Sequence, residues 1–108
     1  MELERMLKAL GEPMRLKMFL AMLERKHCVR SLSKKFGVSE SAISQHMKVM
    51  REAGLVYGEK YGYHTHYLPL QEAVDFLSEQ FDRMRNASLL VDRDMMVCQC
   101  EYRKEEAK

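Results

Sequence analysis

Leu3, Met6, Leu7 and Leu10 stand at the spacing of one helical face, which predicts a first helix over about residues 2–10. Gly11-Glu12-Pro13 interrupts that pattern, and Pro13 suits the first turn of a new helix, where its missing N–H costs nothing. From Met14 to about Arg25 the apolar set Leu16, Phe19, Leu20 and Leu23 has helical spacing again and is read as the inward face, with Lys17, Glu24 and Arg25 left to solvent. A short helix is expected from Val29 to Phe36, stopped by Gly37, a residue suited to the left-handed conformation that ends helices. Two residues later Ser39 can cap the next helix through its hydroxyl. That helix should run to about Ala53 before Gly54, with Ile43, Met47 and Met50 inward and Ser41, Ser44, Gln45, Lys48 and Arg51 pointing elsewhere.

Leu55–Lys60 and Tyr63–Leu68 are rich in Val, Tyr and Thr, and Tyr61-Gly62 between them can turn tightly, so a two-stranded hairpin is expected. After Pro69 a long helix should cover Leu70 to Asp92. Its Leu70, Val74, Leu77, Phe81, Met84 and Val91 follow the alternating three- and four-residue steps of a helix-pairing seam. Residues 93–108 read as a separate tail carrying Cys98-Gln99-Cys100, so the chain divides into a 1–92 domain and this tail.

Composition narrows the class. A chain of 108 residues with 46% hydrophobic and 31% charged residues is one small soluble domain. No stretch approaches the roughly 18 apolar residues of a membrane span, and the first residues mix acids and bases where a signal peptide would be basic and then apolar, so the expected location is cytoplasmic with no membrane partner. Three cysteines in a reducing compartment favour free thiols, metal ligands or redox sensors over a disulfide framework. The net charge of +2 is a cancellation: residues 1–69 hold 12 Lys+Arg against 7 Asp+Glu, and residues 70–108 hold 6 against 9. Between Arg25 and Lys60 the count is 8 to 3, so the basic excess sits on the middle of the chain.

Helix, glycine turn, capped helix and a basic hairpin with glycine at its tip is the order of a winged helix-turn-helix, a mainly α fold with a β-hairpin wing. Its second helix exposes short hydrogen-bonding side chains in the half that meets base edges in the major groove. Gln45 can bond adenine bidentately, Ser39, Ser41 and Ser44 can reach bases or phosphate, and Lys48 and Arg51 suit phosphates. Lys60 and Tyr61 at the hairpin tip can reach the minor groove or backbone. His46 belongs to the same surface or, lying beside Met47, packs against the body and anchors the helix. No glycine-rich phosphate loop, nucleophile elbow or metal-hydrolase motif is present, so an enzyme is not expected.

The segments LGEPMRLKMFLAML, VSESAISQHMKVMREAGLV and YGYHTHYLPL together resemble the ArsR/SmtB family of bacterial metal- and stress-responsive repressors. The resemblance implies a homodimer joined through the first and last helices, winged-helix binding to an inverted repeat in double-stranded operator DNA, and release when an inducer binds. The family's Cys-Val-Cys metal motif is only half kept, because Cys28-Val29-Arg30 puts arginine where the second cysteine would be. Leu70–Asp92 contains no histidine, so the family's other site on the last helix is also missing. There remain Cys28, Cys98 and Cys100, a trigonal sulfur set suited to As(III) or Sb(III), with Cu(I) held by two thiolates or zinc and cadmium held with His27 as alternatives. No resident cofactor is implied, since such an ion would act as inducer. Oxidation linking Cys28 to a tail cysteine would give the same mechanical output. His64 and His66 share a strand face but lack an evident third ligand. The Met14, Met18, Met22 series reads as core. A winged helix used only for protein association is the competing class.

Overall fold

The structure, a computed structural model, describes residues 1–94. The chain runs α1 (Leu3–Leu10), α2 (Pro13–Glu24), β1 (His27–Cys28), α3 (Val29–Phe36), α4 (Glu40–Glu52), β2 (Val56–Tyr61), β3 (His64–Pro69) and α5 (Gln71–Ser88). Each boundary has a local cause. Pro13 opens α2, and the Glu12 carboxylate caps it by accepting from the Arg15 backbone N–H at 2.9 Å. Gly37 ends α3 at φ +66°, a left-handed conformation that a residue with a Cβ rarely adopts. Ser39 caps α4 through its hydroxyl, which accepts from the Ala42 N–H at 3.1 Å.

The core lies between α1, α2, α3, α4 and the root of the hairpin. Met6, Met18, Leu32, Ile43, Met47, Met50 and Leu55 are its largest fully enclosed side chains. Four of these seven are methionines, unbranched side chains that fill irregular gaps where helices cross. The Met14, Met18, Met22 series is core, as its spacing implies: Met18 and Met22 are buried, and Met14 packs against them.

Four details differ from the sequence expectation. On α2 the inward face is Met18, Phe19, Ala21 and Met22, whereas Leu16, Leu20 and Leu23 stand 42–52% exposed. The helix is apolar on both sides, so periodicity alone favoured the leucines while the body packed on the opposite face. The hairpin gains a third strand, giving the antiparallel order β1-β3-β2, with His27 opposite Tyr67 and Cys28 opposite His66. The turn sits one residue later than expected: Tyr61 pairs with His64 across Gly62-Tyr63, and Gly62 takes φ +64°. Finally, α5 ends at Ser88, earlier than Asp92. Its first two turns pack on the body through Ala73 and Leu77, and from Phe81 onward the helix is exposed. No helix of the described residues is long and apolar enough to cross a membrane.

Candidate nucleic-acid interface

The turn between α3 and α4 fixes the reading helix. Ser33 donates its hydroxyl to the Val38 carbonyl, and the Gly37 and Val38 N–H groups both return to the Ser33 carbonyl, at 2.9 and 3.3 Å. With three glycine-turn hydrogen bonds closed and Ser39 capping, α4 leaves the turn in one direction. Ile43, Met47 and Met50 seat it in the core at 0–1% exposure. The opposite face is therefore held rigidly in solvent, and it carries Ser41, Ser44, Gln45 and Lys48, all exposed, with exposed Arg51 further along. The Ser39 cap uses a lone pair, which leaves its O–H free to donate to an oxygen outside the protein.

His46 points away from this surface. Its Nδ1 lies 3.4 Å from Arg15 Nη1 and 3.8 Å from Glu12 Oε2. Arginine only donates, so in that contact Nδ1 is the acceptor. The Arg15 Nε also donates to the Ala9 carbonyl at 2.6 Å, so one guanidinium ties the end of α1 and the start of α2 to the reading helix. The Glu12 carboxyl is held below the usual carboxylate range, chiefly by the Arg15 backbone N–H.

The wing carries a different chemistry from the one its sequence suggests. Tyr61 is on β2 rather than at the tip, and its hydroxyl accepts from Lys26 Nζ at 3.1 Å while the ammonium also lies 4.4 Å from the ring centroid. The Lys26 ammonium is raised above its ordinary value by that hydroxyl. The tilted His66 ring lies 5.0 Å from Tyr61. At the tip itself stands Tyr63, completely exposed, flanked by exposed His64 and, further back, exposed Lys60. Spacing alone puts Tyr63 at the start of the second strand, since a turn at Tyr61-Gly62 lies one residue before the observed turn at Gly62-Tyr63. Between the wing and the starts of α3 and α4 lies a groove of about 400 Å³, whose lining includes Cys28, Arg30, Glu40, Tyr63, Thr65 and Tyr67.

Cys28 is the N-cap of α3. Its Sγ accepts from the Ser31 N–H at 3.4 Å, and Ser31 Oγ in turn meets His27 Nδ1 at 2.9 Å. Half-burial pushes the thiol up, but the Ser31 backbone and hydroxyl together with the Arg30 N–H outweigh it, and the net effect lowers the thiol below its ordinary value. Burial, with Arg25 and Lys35 nearby, lowers the His27 imidazole. Among the described residues no group of three or more His, Cys, Asp or Glu side chains is placed to hold a metal ion. Cys98 and Cys100 lie outside the described residues. His64 and His66 share β3, where His66 is half-buried against Tyr61 and His64 is exposed.

A capped reading helix behind a glycine turn, flanked by a hairpin wing, defines a winged helix-turn-helix protein. Residues 12–57 match the family described as bacterial regulatory protein, arsR family. The chain is 37% identical over 57 residues to the HTH-type transcriptional repressor SmtB of Mycobacterium tuberculosis, a stretch that is 53% of this chain and 42% of that protein. It thus spans less than half the length of that relative. Among solved structures, reduced HlyU from Vibrio cholerae is 30% identical with a TM-score of 0.63, covering 74% of this chain and 84% of that one. A structure described as a possible transcriptional regulator for arsenical resistance is 28% identical with a TM-score of 0.66, covering 84% of this chain and all of the other. The chain belongs to the ArsR/SmtB family of bacterial regulatory proteins.

Proposed function

We propose that the protein is a homodimeric transcriptional repressor that binds an inverted repeat in double-stranded operator DNA through α4 and the wing. The observation that carries this reading is the rigid polar face of α4, Ser41, Ser44, Gln45 and Lys48, set opposite a fully buried face on the basic part of the chain. The M. tuberculosis relative is itself a transcriptional repressor, which supports the regulatory direction. Fluorescence anisotropy on the promoter DNA of the protein's own gene, repeated across a salt series, tests it. Nanomolar-range binding that weakens steeply with salt is expected for a protein that neutralises several phosphates. Salt-independent or absent binding would leave a protein-association module instead.

The second subunit is supported by the leucines of α2 and by Phe81 and Met84 of α5, all about half exposed. The described residues leave about half of each side chain uncovered, and an antiparallel pairing of two α5 helices would cover Phe81 and Met84.

For the inducer, the reading rests on Cys28. A thiolate at a helix N-cap, lowered by donors from its own first turn, is the form that binds thiophilic ions and that reacts with oxidants. A complete site for As(III), Sb(III) or another soft ion would draw on Cys98 and Cys100. Such an ion weakens operator binding by the same free energy with which DNA weakens ion binding. Cys28→Ser is expected to keep operator affinity and lose release by arsenite, and Cys100→Ser to do the same. If arsenite is inert and peroxide or polysulfide releases the operator only when Cys28 is present, the thiol acts as a redox sensor. Release unchanged in both variants would place the sensor elsewhere.

A further inference from the structure

The basic unit between Arg25 and Lys60 contains three acids, and they are not equivalent. Glu52 closes α4 at the end far from its cap. Glu59 accepts from the Tyr61 hydroxyl at 3.4 Å. Glu40 alone stands at the reading end of α4, exposed, next to the Ser39 cap, in the groove between helix and wing. Among the described residues its carboxylate has no ion-pair or hydrogen-bond partner, although Arg30 lines the same groove.

A carboxylate on a surface that approaches phosphates repels them, and each such charge weakens binding to any DNA sequence. It is tolerated on such a surface when it accepts from a donor that only some sequences present. In the major groove the donors are the N4 amino group of cytosine and the N6 amino group of adenine. Adenine sets its own N7 acceptor beside N6, which opposes an acceptor-only carboxylate, whereas the cytosine edge carries no acceptor of its own, the nearest being O6 of the paired guanine. Of the groove's other polar groups, the Arg30 guanidinium and the Tyr63 and Thr65 hydroxyls can donate to the sugar-phosphate strand, and Cys28, His64 and Tyr67 complete its polar lining. We propose that Glu40 is a specificity-determining residue that accepts from a cytosine N4 amino group in each operator half-site. This rests on the DNA-binding reading of α4.

The charge carries its own prediction for substitution. Glutamine has the shape of glutamate but presents both a donor and an acceptor, the pattern that matches adenine N6 and N7. Selection of bound sequences from a randomised duplex library by the intact protein, by Glu40→Gln and by Glu40→Ala tests the proposal. The wild type is expected to fix one cytosine per half-site, at the edge read by the start of α4. Glu40→Gln should turn that position to adenine, and Glu40→Ala should lose the preference there by about fivefold or more, with the other positions unchanged in both. The same base preferences in all three proteins, with affinity raised equally on every sequence, would overturn the proposal. Glu40 would then act only on the charge of the surface and on the α4 dipole. A wild type that enriches no sequence would overturn the DNA-binding reading itself, a distinct result. Because Glu40 is exposed, both variants should keep the wild-type circular dichroism spectrum, with the thermal midpoint lowered by no more than the loss of one charge from the first turn of α4 accounts for, and this is measured alongside.

Discussion

Gln45 and His46 are neighbours in sequence and opposites in placement. A rotation of about 100° per residue sends Gln45 to solvent and turns His46 toward Arg15 and Glu12 on α2. Gln45→Ala should weaken binding to the selected operator by about 1–3 kcal/mol and leave binding to random duplex unchanged, as measured by anisotropy competition. Equal loss on both duplexes would remove the base-reading role. The Ser, Gln and Lys positions of α4 were readable from spacing because a single buried stripe, Ile43, Met47 and Met50, fixes where every other residue points. The partner of His46 was not readable, since Arg15 lies 31 residues away and no local pattern connects them. His27 has a titration consequence. Its imidazole is depressed in the fold, so the unfolded chain binds protons more readily. The associated stability is fully present above the unfolded-state value of about 6.5 and is lost as pH falls through the lower folded value. The urea midpoint should therefore fall between pH 7.5 and 5.5, and His27→Gln should fall less over the same range.

At the scale of elements, legibility depended on whether a segment has one apolar side or two. The boundaries of α3 and α4 agree with their Gly37 and Ser39 signals, because glycine and a capping hydroxyl act on backbone geometry within a few residues. On the two-sided α2 spacing allows both a leucine face and a methionine face, since a helix apolar all round gives no direction to its own core face. The two-residue β1 was invisible, because its strand character comes from pairing with β3 rather than from His27 and Cys28 themselves. That pairing ties the start of α3 to the wing. Gly58 guards the sheet. A Cβ there would lie 2.8 Å from Thr65 Cγ2 and 3.1 Å from the Tyr67 ring, and Tyr67 packs against the core. Thr65 is β-branched and stiff, so the clash is not relieved by a simple swing. Gly58→Val should cost about 1–3 kcal/mol by the overpacking rule, read as a lower urea midpoint. An unchanged midpoint would mean that the wing adjusts freely and is not part of the rigid reading head.

For the whole molecule the governing fact is that α2 and α5 each leave apolar side chains exposed after folding, Leu16, Leu20 and Leu23 on one and Phe81 and Met84 on the other. Leu20 and Phe81 are 52% and 50% exposed, and each gains on the order of 1 kcal/mol when covered by a second subunit. A charge at either place reverses that gain. Leu20→Glu and Phe81→Asp should each raise the dimer dissociation constant by at least about tenfold in sedimentation velocity, while the monomer keeps its helical spectrum because neither side chain is in the core. Operator affinity should fall with dimerisation, since a dimer binds both half-sites at once and a monomer only one. Two reading helices on a two-fold axis must meet major grooves on the same side of the duplex, about one helical turn or 34–36 Å apart. Adding about five base pairs between the half-sites puts the second groove on the far side and should reduce binding to that of a single half-site. A spacing series in which the five-pair insertion binds as tightly as the native operator would mean that the subunits are not held in one geometry, and that dimerisation raises affinity without setting the register of the two heads.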